Sequence, residues 1–378
     1  MKKEKEYIKG VPLVDLKANY LSIKNEIDSA IMDIIDKSAF IMGKPVKTFE
    51  KEFAEATKSR FCTSTSNGTS SLVVALQAIG LKPGDEVITV PNTFIATTEA
   101  VIFLGGKIKF VDVEEKTLTM NPELIEKQIT KKTKAIIPVH IFGQMADMEM
   151  IREIADKHNL KIIEDAAQSH FATFKGRQAG YYGDLACYSF FPAKNLGCFG
   201  DGGAVTTNND EYAKKMAMLR DHGRVSKYEH LMEGFNFRLD ALQAAILSVK
   251  LKYLGRWTEQ RRKNAGIYNE LLSDTVQTPF EAKDRKHVYY TYQIMVENRD
   301  RLNDHLAQNG ISCSIYYPIP LHLQKAYDYM NLKKGSFPVT ERSCERLLAL
   351  PMYPELKEEQ IKYVCDKTKE GVKNFIQK

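Results

Sequence analysis

The sequence predicts an α/β fold on a mainly parallel central sheet with helices on both faces, followed by a smaller C-terminal α+β domain. Three observations predict it. Between about residues 60 and 210, short β-rich runs alternate with helical patterns. Those runs are nearly continuously apolar, which suits strands covered on both faces of a parallel sheet. After about residue 280 the texture changes, with two β-rich runs and two helical patterns around a proline-rich stretch. Strand and helix alternation of the first kind gives a layered α/β architecture. We divide the chain into a large domain at 1–255 and a smaller one at 256–378, joined through a linking helix.

The elements follow in order. Ser66-Asn67-Gly68-Thr69-Ser70-Ser71 opens a helix predicted at 69–79. Lys82-Pro83-Gly84-Asp85 is turn chemistry and precedes a strand at 87–90. A helix at 96–104 and a strand at 108–111 come next. Asn121-Pro122-Glu123 looks like a helix start, asparagine capping and proline in the first position, so a helix is expected at 122–129. A strand at 135–139, a helix at 147–158, and strands at 161–164 and 186–190 complete the alternation. A long helical pattern at 239–254 continues, with a break expected near Gly255, through Arg262 to Leu272. Beyond it lie a β run at 289–296, a helix near 299–309, a β run at 313–317 and an amphipathic helix at about 357–375.

Composition narrows the class. The net charge is +6, but the basic runs Lys131-Lys132-Thr133-Lys134 and Arg261-Arg262-Lys263 are short and flanked by polar residues. Solvated faces explain them better than nucleic-acid binding. A mildly positive surface favours an anionic substrate. The six cysteines form no Cys-x-x-Cys pair, so neither a metal site nor a redox motif is indicated, and isolated thiols suit a reducing cytoplasm. Met1 to Ile8 is charged and lacks the apolar region of a signal peptide. No apolar run approaches the roughly 20 residues that span a bilayer, so no membrane association is expected. Neither a Gly-x-Gly-x-x-Gly after the first strand nor a Gly-x-x-x-x-Gly-Lys-Ser/Thr occurs, which disfavours a dinucleotide dehydrogenase and a P-loop nucleotidase.

The residues that carry chemistry centre on Lys194, 29 residues after Asp165. Lys194 follows an aromatic strand and precedes Gly197, Gly200, Gly202 and Gly203, glycines that signal close approach of backbone to a ligand. A lysine whose amine is held neutral by burial or nearby charge attacks an aldehyde. Asp165 closes the apolar Ile162-Ile163-Glu164, where a parallel strand points its last side chain at the ligand crevice. It can hold a proton on a pyridine nitrogen, or simply cap the helix that follows. Together these are the two groups pyridoxal phosphate needs from a protein. Gln168 can serve a capping box or lie near the ring oxygen. Gly68 and Thr69, at a helix start rich in small residues, can bind phosphate through free amides and hydroxyls. Phe94, just past a strand end, can stack on the ring or pack in the core. His140, His222 and His322 are possible proton carriers with no metal-ligand spacing.

In combination these motifs resemble the DegT/DnrJ/EryC1/StrS family of nucleotide-sugar aminotransferases. The matching blocks include Asn67-Gly68-Thr69, Glu164-Asp165-Ala166-Ala167-Gln168, Phe191-Pro192-Ala193-Lys194-Asn195-Leu196-Gly197, Gly200-Asp201-Gly202-Gly203, Arg238-Leu239-Asp240-Ala241-Leu242-Gln243 and Tyr317-Pro318-Ile319-Pro320-Leu321-His322. The resemblance implies the fold type I aminotransferase architecture and a homodimer with shared active sites. It implies Lys194 as the Schiff-base lysine and proton shuttle, Asp165 on the pyridinium nitrogen, Phe94 on the ring face and Gln168 at the ring hydroxyl. Gly68, Thr69 and Ser189 would hold the cofactor phosphate, and Asn236 would reach the phosphate of the neighbouring subunit. The amino donor would be L-glutamate, leaving as 2-oxoglutarate, with pyridoxamine phosphate carrying the nitrogen.

The Lys-Asn-Leu-Gly and Gly-Asp-Gly-Gly run is similar to members acting on 3-keto sugars, most closely UDP-linked 2-acetamido-3-keto hexoses or their uronic acids. Such enzymes serve cell-surface polysaccharide or lipopolysaccharide synthesis. Arg238 and the pair Tyr316-Tyr317, with His322, are the expected sugar contacts. Members using the uronic acid have a histidine where Tyr316 stands, and tyrosine has no cationic form. A neutral hexose and a TDP-linked 3-keto-6-deoxyhexose are the alternatives this leaves. A sugar dehydratase of the same fold would have histidine in place of Lys194. A non-catalytic regulator on the same fold is the reading from another class.

Overall fold

The apolar runs of the sequence become neighbouring strands of one seven-stranded sheet. The structure is a computed structural model and describes residues 10–376, so the stretch from Met1 to Ile8 lies outside it. Three helices come first, α1 (Leu16–Ser22), α2 (Lys24–Asp36) and α3 (Gly43–Thr57). The sheet region runs through β1 (Phe61–Thr65), α4 (Gly68–Ala78), β2 (Glu86–Thr89), α5 (Ala96–Phe103), β3 (Lys107–Phe110), β4 (Thr133–Ile136), α6 (Met148–Lys157), β5 (Lys161–Asp165), the short β6 (Thr173–Phe174), β7 (Leu185–Ser189), β8 (Gly203–Thr207) and α7 (Asp210–Leu219). The rest is α8 (Ala241–Leu272), β9 (Arg285–Lys286), β10 (Tyr292–Met295), α9 (Arg299–Gln308), α10 (Pro338–Arg346), β11 (Leu347–Leu350) and α11 (Glu358–Ile376).

The strand order is β1-β8-β7-β5-β4-β2-β3. Strands β3, β2, β4, β5 and β7 are parallel, and β8 runs antiparallel between β7 and β1. Side chains alternate across the sheet. Ile162 and Tyr188 enter one core with Phe49 and Phe53 of α3. Ile163 and Cys187 enter the other with Leu72, Val74 and Leu76 of α4. Both faces are therefore covered, which is why the parallel strands are apolar throughout. Each fully buried aliphatic or aromatic side chain contributes about 1.5–3 kcal/mol relative to exposure. A third core gathers Tyr268 of α8, Tyr292 and Ile294 of β10, Leu302 of α9, Leu348 of β11 and Ile361 of α11.

Four expectations need correction. The stretch 122–129 is not an α-helix but two 3₁₀ turns, Pro122–Leu124 and Glu126–Gln128. Asn121 does cap the first, accepting the Glu123 amide at 3.0 Å, but the turns that follow close with 3₁₀ bonds, Ile125 to Pro122 and Ile129 to Glu126. Helix α8 runs unbroken through Gly255, where a break was expected. Its first half packs on α2 and α3 and its second on α11, and tertiary support of that kind outweighs the ~1 kcal/mol cost of a glycine. Residues 313–317 form no strand; one bridge joins Ser314 to Ala349 of β11 before Pro318 and Pro320, which lack ladder donors. Strands β1 and β8 were not foreseen, because Phe61-Cys62-Thr63-Ser64-Thr65 and Gly203-Ala204-Val205-Thr206-Thr207 are too small and polar to stand out as apolar runs. Among the described residues, no helix is long and apolar enough to cross a membrane.

Candidate active site

The site starts from register. Asp165 ends β5 and pairs with Cys187 of β7, so Ser189 and the chain that follows leave the sheet beside it. Asp165 is buried, and its two carboxylate oxygens meet neutral donors: the Thr97 hydroxyl at 2.8 Å and the Ala167 amide at 3.2 Å. Burial pushes its carboxyl up; those two bonds oppose the push, and the charges of Lys194 and His140 oppose it less. A buried carboxylate satisfied mainly by neutral groups is costly unless a cation joins it.

Lys194 comes from the loop between β7 and β8. The loop is cinched by hydrogen bonds and by one close backbone approach. The Lys194 amide donates to the Phe191 carbonyl at 2.8 Å, and the Cys198 amide to the Phe190 carbonyl at 2.8 Å. Asn195 donates to the Val288 carbonyl at 3.1 Å. A Cβ at Gly197 would fall 2.3 Å from the Pro192 carbonyl oxygen, so only glycine allows this approach. Helix α8 holds the outer side: Gln243 accepts the Phe199 amide at 2.8 Å, and Lys250 donates to the Gly197 carbonyl at 2.5 Å. Burial pushes the Lys194 amine down to about 8, with Asp165 opposing. That brings a sizeable neutral fraction near physiological pH, the form that attacks a carbonyl.

The start of α4 closes the other side. Asn67 caps it by accepting the Ser70 amide at 2.8 Å. A helix start leaves its first amides without intrahelical partners, ready for an anion. Gly68 lies so close to Ser189 that a Cβ there would be 2.7 Å from the Ser189 Cβ. Gly68, Thr69 and Ser189 thus form one cradle, at the same sheet end as Asp165. A phosphate carried on a pyridinium fits this set: a small-residue cradle for the anion, a buried carboxylate for the ring cation and a part-neutral amine beside them.

Aromatic groups flank the same space. Phe94 is exposed, and its ring centroid lies 6.1 Å from that of Tyr317. Gln168 accepts the Phe142 amide at 2.7 Å and donates to the Tyr317 hydroxyl at 3.1 Å. Tyr316 is half-buried with its ring against Tyr317. The other candidates are held by partners of their own. His322 is buried and hydrogen-bonded to Glu341 at 2.9 Å, a packing position for α10. His140 bonds Glu164 at 2.7 Å in the core. His222 is exposed. Arg238 is paired with Asp221 at 2.9 Å, and Arg224 shares that carboxylate. Asn236 is exposed, its backbone bridged to Asp221.

Three groups escaped the sequence reading. Thr97 reaches Asp165 from 68 residues away. Tyr290 lies under the Lys194 amine. His170, buried between Tyr188 and Phe190, has its ring pushed down to about 3 by burial and then by Lys194. Only Thr97, one turn from Phe94 on a helix start facing the crevice, carried a signal that could have found it.

Comparison with known proteins bears on this geometry. Residues 21–369 match the DegT/DnrJ/EryC1/StrS aminotransferase family. A pleiotropic regulatory protein of Geobacillus stearothermophilus is 46% identical over 97% of this chain and 100% of its own. The dTDP-3-amino-3,4,6-trideoxy-alpha-D-glucose transaminase of Streptomyces venezuelae is 40% identical over 97% of both chains. The UDP-N-acetyl-3-dehydro-alpha-D-glucosamine 3-aminotransferase of Acidithiobacillus ferrooxidans is 42% identical over 93% of this chain and 95% of its own. Among solved structures, DesV of S. venezuelae in complex with a ketimine intermediate superposes with a TM-score of 0.94 at 40% identity, covering 96% of this chain and 98% of that one.

Proposed function

The chain belongs to the DegT/DnrJ/EryC1/StrS aminotransferase family, and on that premise we propose that it moves an amino group from L-glutamate to C3 of a nucleotide-linked 3-keto sugar. The sugar we favour is a UDP-2-acetamido-3-keto hexose. The observation that carries the chemistry is the pair formed by Asp165 at the end of β5 and Lys194 on the loop leaving the neighbouring β7, one a buried carboxylate in want of a cation, the other an amine lowered to about 8.

Pyridoxal phosphate, when bound, supplies the electron sink and the carrier for nitrogen. Asp165 would hold the proton on its ring nitrogen. Gly68, Thr69 and Ser189 would hold its phosphate, with Asn236 reaching across from a second subunit of a homodimer. Phe94 would cover one ring face, and Gln168, fixed by Phe142 and Tyr317, would meet the ring hydroxyl. Lys194 takes a proton from the donor's carbon and returns one to the product, a positioned base and acid. The Lys194→Ala variant is expected to bind cofactor and lose turnover by about a thousandfold or more; turnover near wild type would sink the assignment.

Two observations favour a neutral hexose over its uronic acid. Arg238 is already engaged by Asp221, and Tyr316 offers a hydrogen bond but no charge. The TDP-linked 3-keto-6-deoxyhexose is the second reading, because the dTDP and UDP relatives stand at nearly equal identity. The regulator reading draws on the name of the 46% identical relative, and the intact Lys194, Asp165 and Gln168 oppose it. We also propose a cytoplasmic location, since all six cysteines are free thiols.

Running the reaction backwards tests these readings together. Finished amino sugars are mixed with the cofactor-loaded protein while its visible absorbance is followed. Bleaching by a UDP-2-acetamido-3-amino hexose, and by neither its uronic acid nor a TDP counterpart, is the expected result. Bleaching only by the TDP sugar would move the chain to the deoxysugar branch. A coloured protein bleached by no sugar and not by glutamate would leave the regulator.

A further inference from the structure

Tyr290 has no role in the scheme above, yet its ring lies directly under the reacting amine. The Lys194 Nζ lies 4.2 Å from the centroid of the Tyr290 ring, within the ~6 Å reach of a cation over an aromatic face. The backbone that carries the ring is pinned. The Tyr290 amide donates to the Phe142 carbonyl at 3.0 Å, and Phe142 in turn anchors Gln168. The buried Arg261 guanidinium spans the Tyr289, Tyr290 and Met352 carbonyls at 3.3, 3.4 and 2.9 Å. Tyr290 is thus carried on a fixed stretch of main chain, with its ring under the lysine.

Two demands on Lys194 conflict. It must be neutral to attack, and burial supplies that. It must also carry a proton in each half of the reaction, and a buried ammonium needs stabilisation. Asp165 acts on it but is the group expected to be occupied by the cofactor ring, and His170 on the far side is neutral. An aromatic face stabilises an ammonium without fixing the direction of its N–H bonds, which leaves a proton free to be given.

We propose that the face of Tyr290 is the resting place of the Lys194 ammonium whenever that amine is not bonded to the cofactor, which makes Tyr290 a positioning residue for the proton-transferring lysine. This rests on Lys194 being the lysine of the proposed reaction. The other titratable groups around the ring are Tyr316 and Tyr317, both with hydroxyls pushed up by burial, and Arg261. Asp15, Lys250 and Glu355 line a cavity on another side of Lys194, but Asp165 is the charge that acts on its amine.

The test uses the full chain loaded with pyridoxamine phosphate, in which Lys194 is free. Acetylation of Lys194 by acetic anhydride is followed by mass spectrometry as a function of pH. The Tyr290→Leu variant is expected to move the midpoint down by about one pH unit, a tenfold change in the protonation equilibrium, because the charged form loses its support. Tyr290→Phe keeps the face and is expected to stay at the wild-type midpoint. In turnover, Tyr290→Leu should lose about tenfold in kcat with KM unchanged. Should the leucine variant fold poorly, Phe analogues with one, two and three ring fluorines at position 290 keep the shape and drain the face. A midpoint that falls stepwise with fluorine count supports the proposal. An unchanged midpoint in Tyr290→Leu or across the fluorine series overturns it, as does an equal shift in Tyr290→Phe, which would point to the hydroxyl. If acetylation of Lys194 is the same in the pyridoxal-loaded and pyridoxamine-loaded protein, the fault lies with the assignment of Lys194 itself.

Discussion

A methyl group at position 68 would press into Ser189, and that contact decides whether the phosphate cradle can close. Gly68→Ala should force the start of α4 away from β7. The expected cost is about 1–3 kcal/mol of stability, with cofactor affinity falling at least tenfold, measured by fluorescence titration with pyridoxal phosphate. Asp165 gives the opposite relation between stability and function. Its buried carboxylate strains the cofactor-free fold, so Asp165→Asn should raise the melting temperature of the cofactor-free protein while turnover drops by a hundredfold or more. A lower melting temperature would mean that Thr97 and Ala167 already satisfy the charge. These residues were legible because chemistry-bearing types close apolar strands or sit among clustered glycines. His170 and Tyr290 were not legible, and Thr97 only through its place one turn past Phe94. A histidine and a tyrosine outside any motif look like packing until the fold brings them to Lys194.

Helix α8 shows what an element can do that a residue cannot. Gln243 and Lys250 are seven positions apart, two turns on one face, and both grip the loop that carries Lys194. Lys250 is almost fully buried, over the rings of Phe199 and Trp257, and burial pushes its amine down to about 8. The unfolded chain holds that proton up to the ordinary lysine range near 10.5, so between about pH 8 and 10 the unfolded state binds more protons than the native one. Stability conferred through Lys250 therefore rises with pH across that window. The urea midpoint of wild type, compared with Lys250→Met, should gain from pH 8 to pH 10; a constant difference would refute the shift. The same helix carries Gly255 with nothing within 4 Å of where a Cβ would stand. Gly255→Ala should add about 0.5–1 kcal/mol in chemical denaturation. The strands were legible where large aliphatic side chains fill both faces and illegible in β1 and β8, where Gly203 and Thr65 crowd Asn67, Ser64 meets Glu50 and Arg220, and Thr207 meets the Asp184 carbonyl. The unbroken α8 was illegible because packing on α2, α3 and α11, not propensity, decides it.

At the scale of the molecule, a single chain leaves its cradle open. An apolar groove of about 580 Å³ runs past Asn67, Thr69 and Ser70 along α5, with Ile102, Phe103 and Tyr329 exposed at its edge. Large apolar side chains around a polar site suit cover by another chain. The proposed homodimer would supply that cover and would bring Asn236 of one subunit to the phosphate of the other, a twofold exchange. Mixing two inactive variants tests it. Lys194→Ala removes the proton shuttle from its own site, and Asn236→Ala removes the phosphate contact from its neighbour's. Unfolded together and refolded at equal amounts, random pairing under twofold symmetry gives about a quarter of all sites both groups intact. Activity should return to about that fraction of wild type. If Asn236 serves its own chain, every mixed dimer has one site lacking the lysine and one lacking the asparagine. The mixture then stays as inactive as its parts, and the shared site is disproved even if the protein sediments as a dimer.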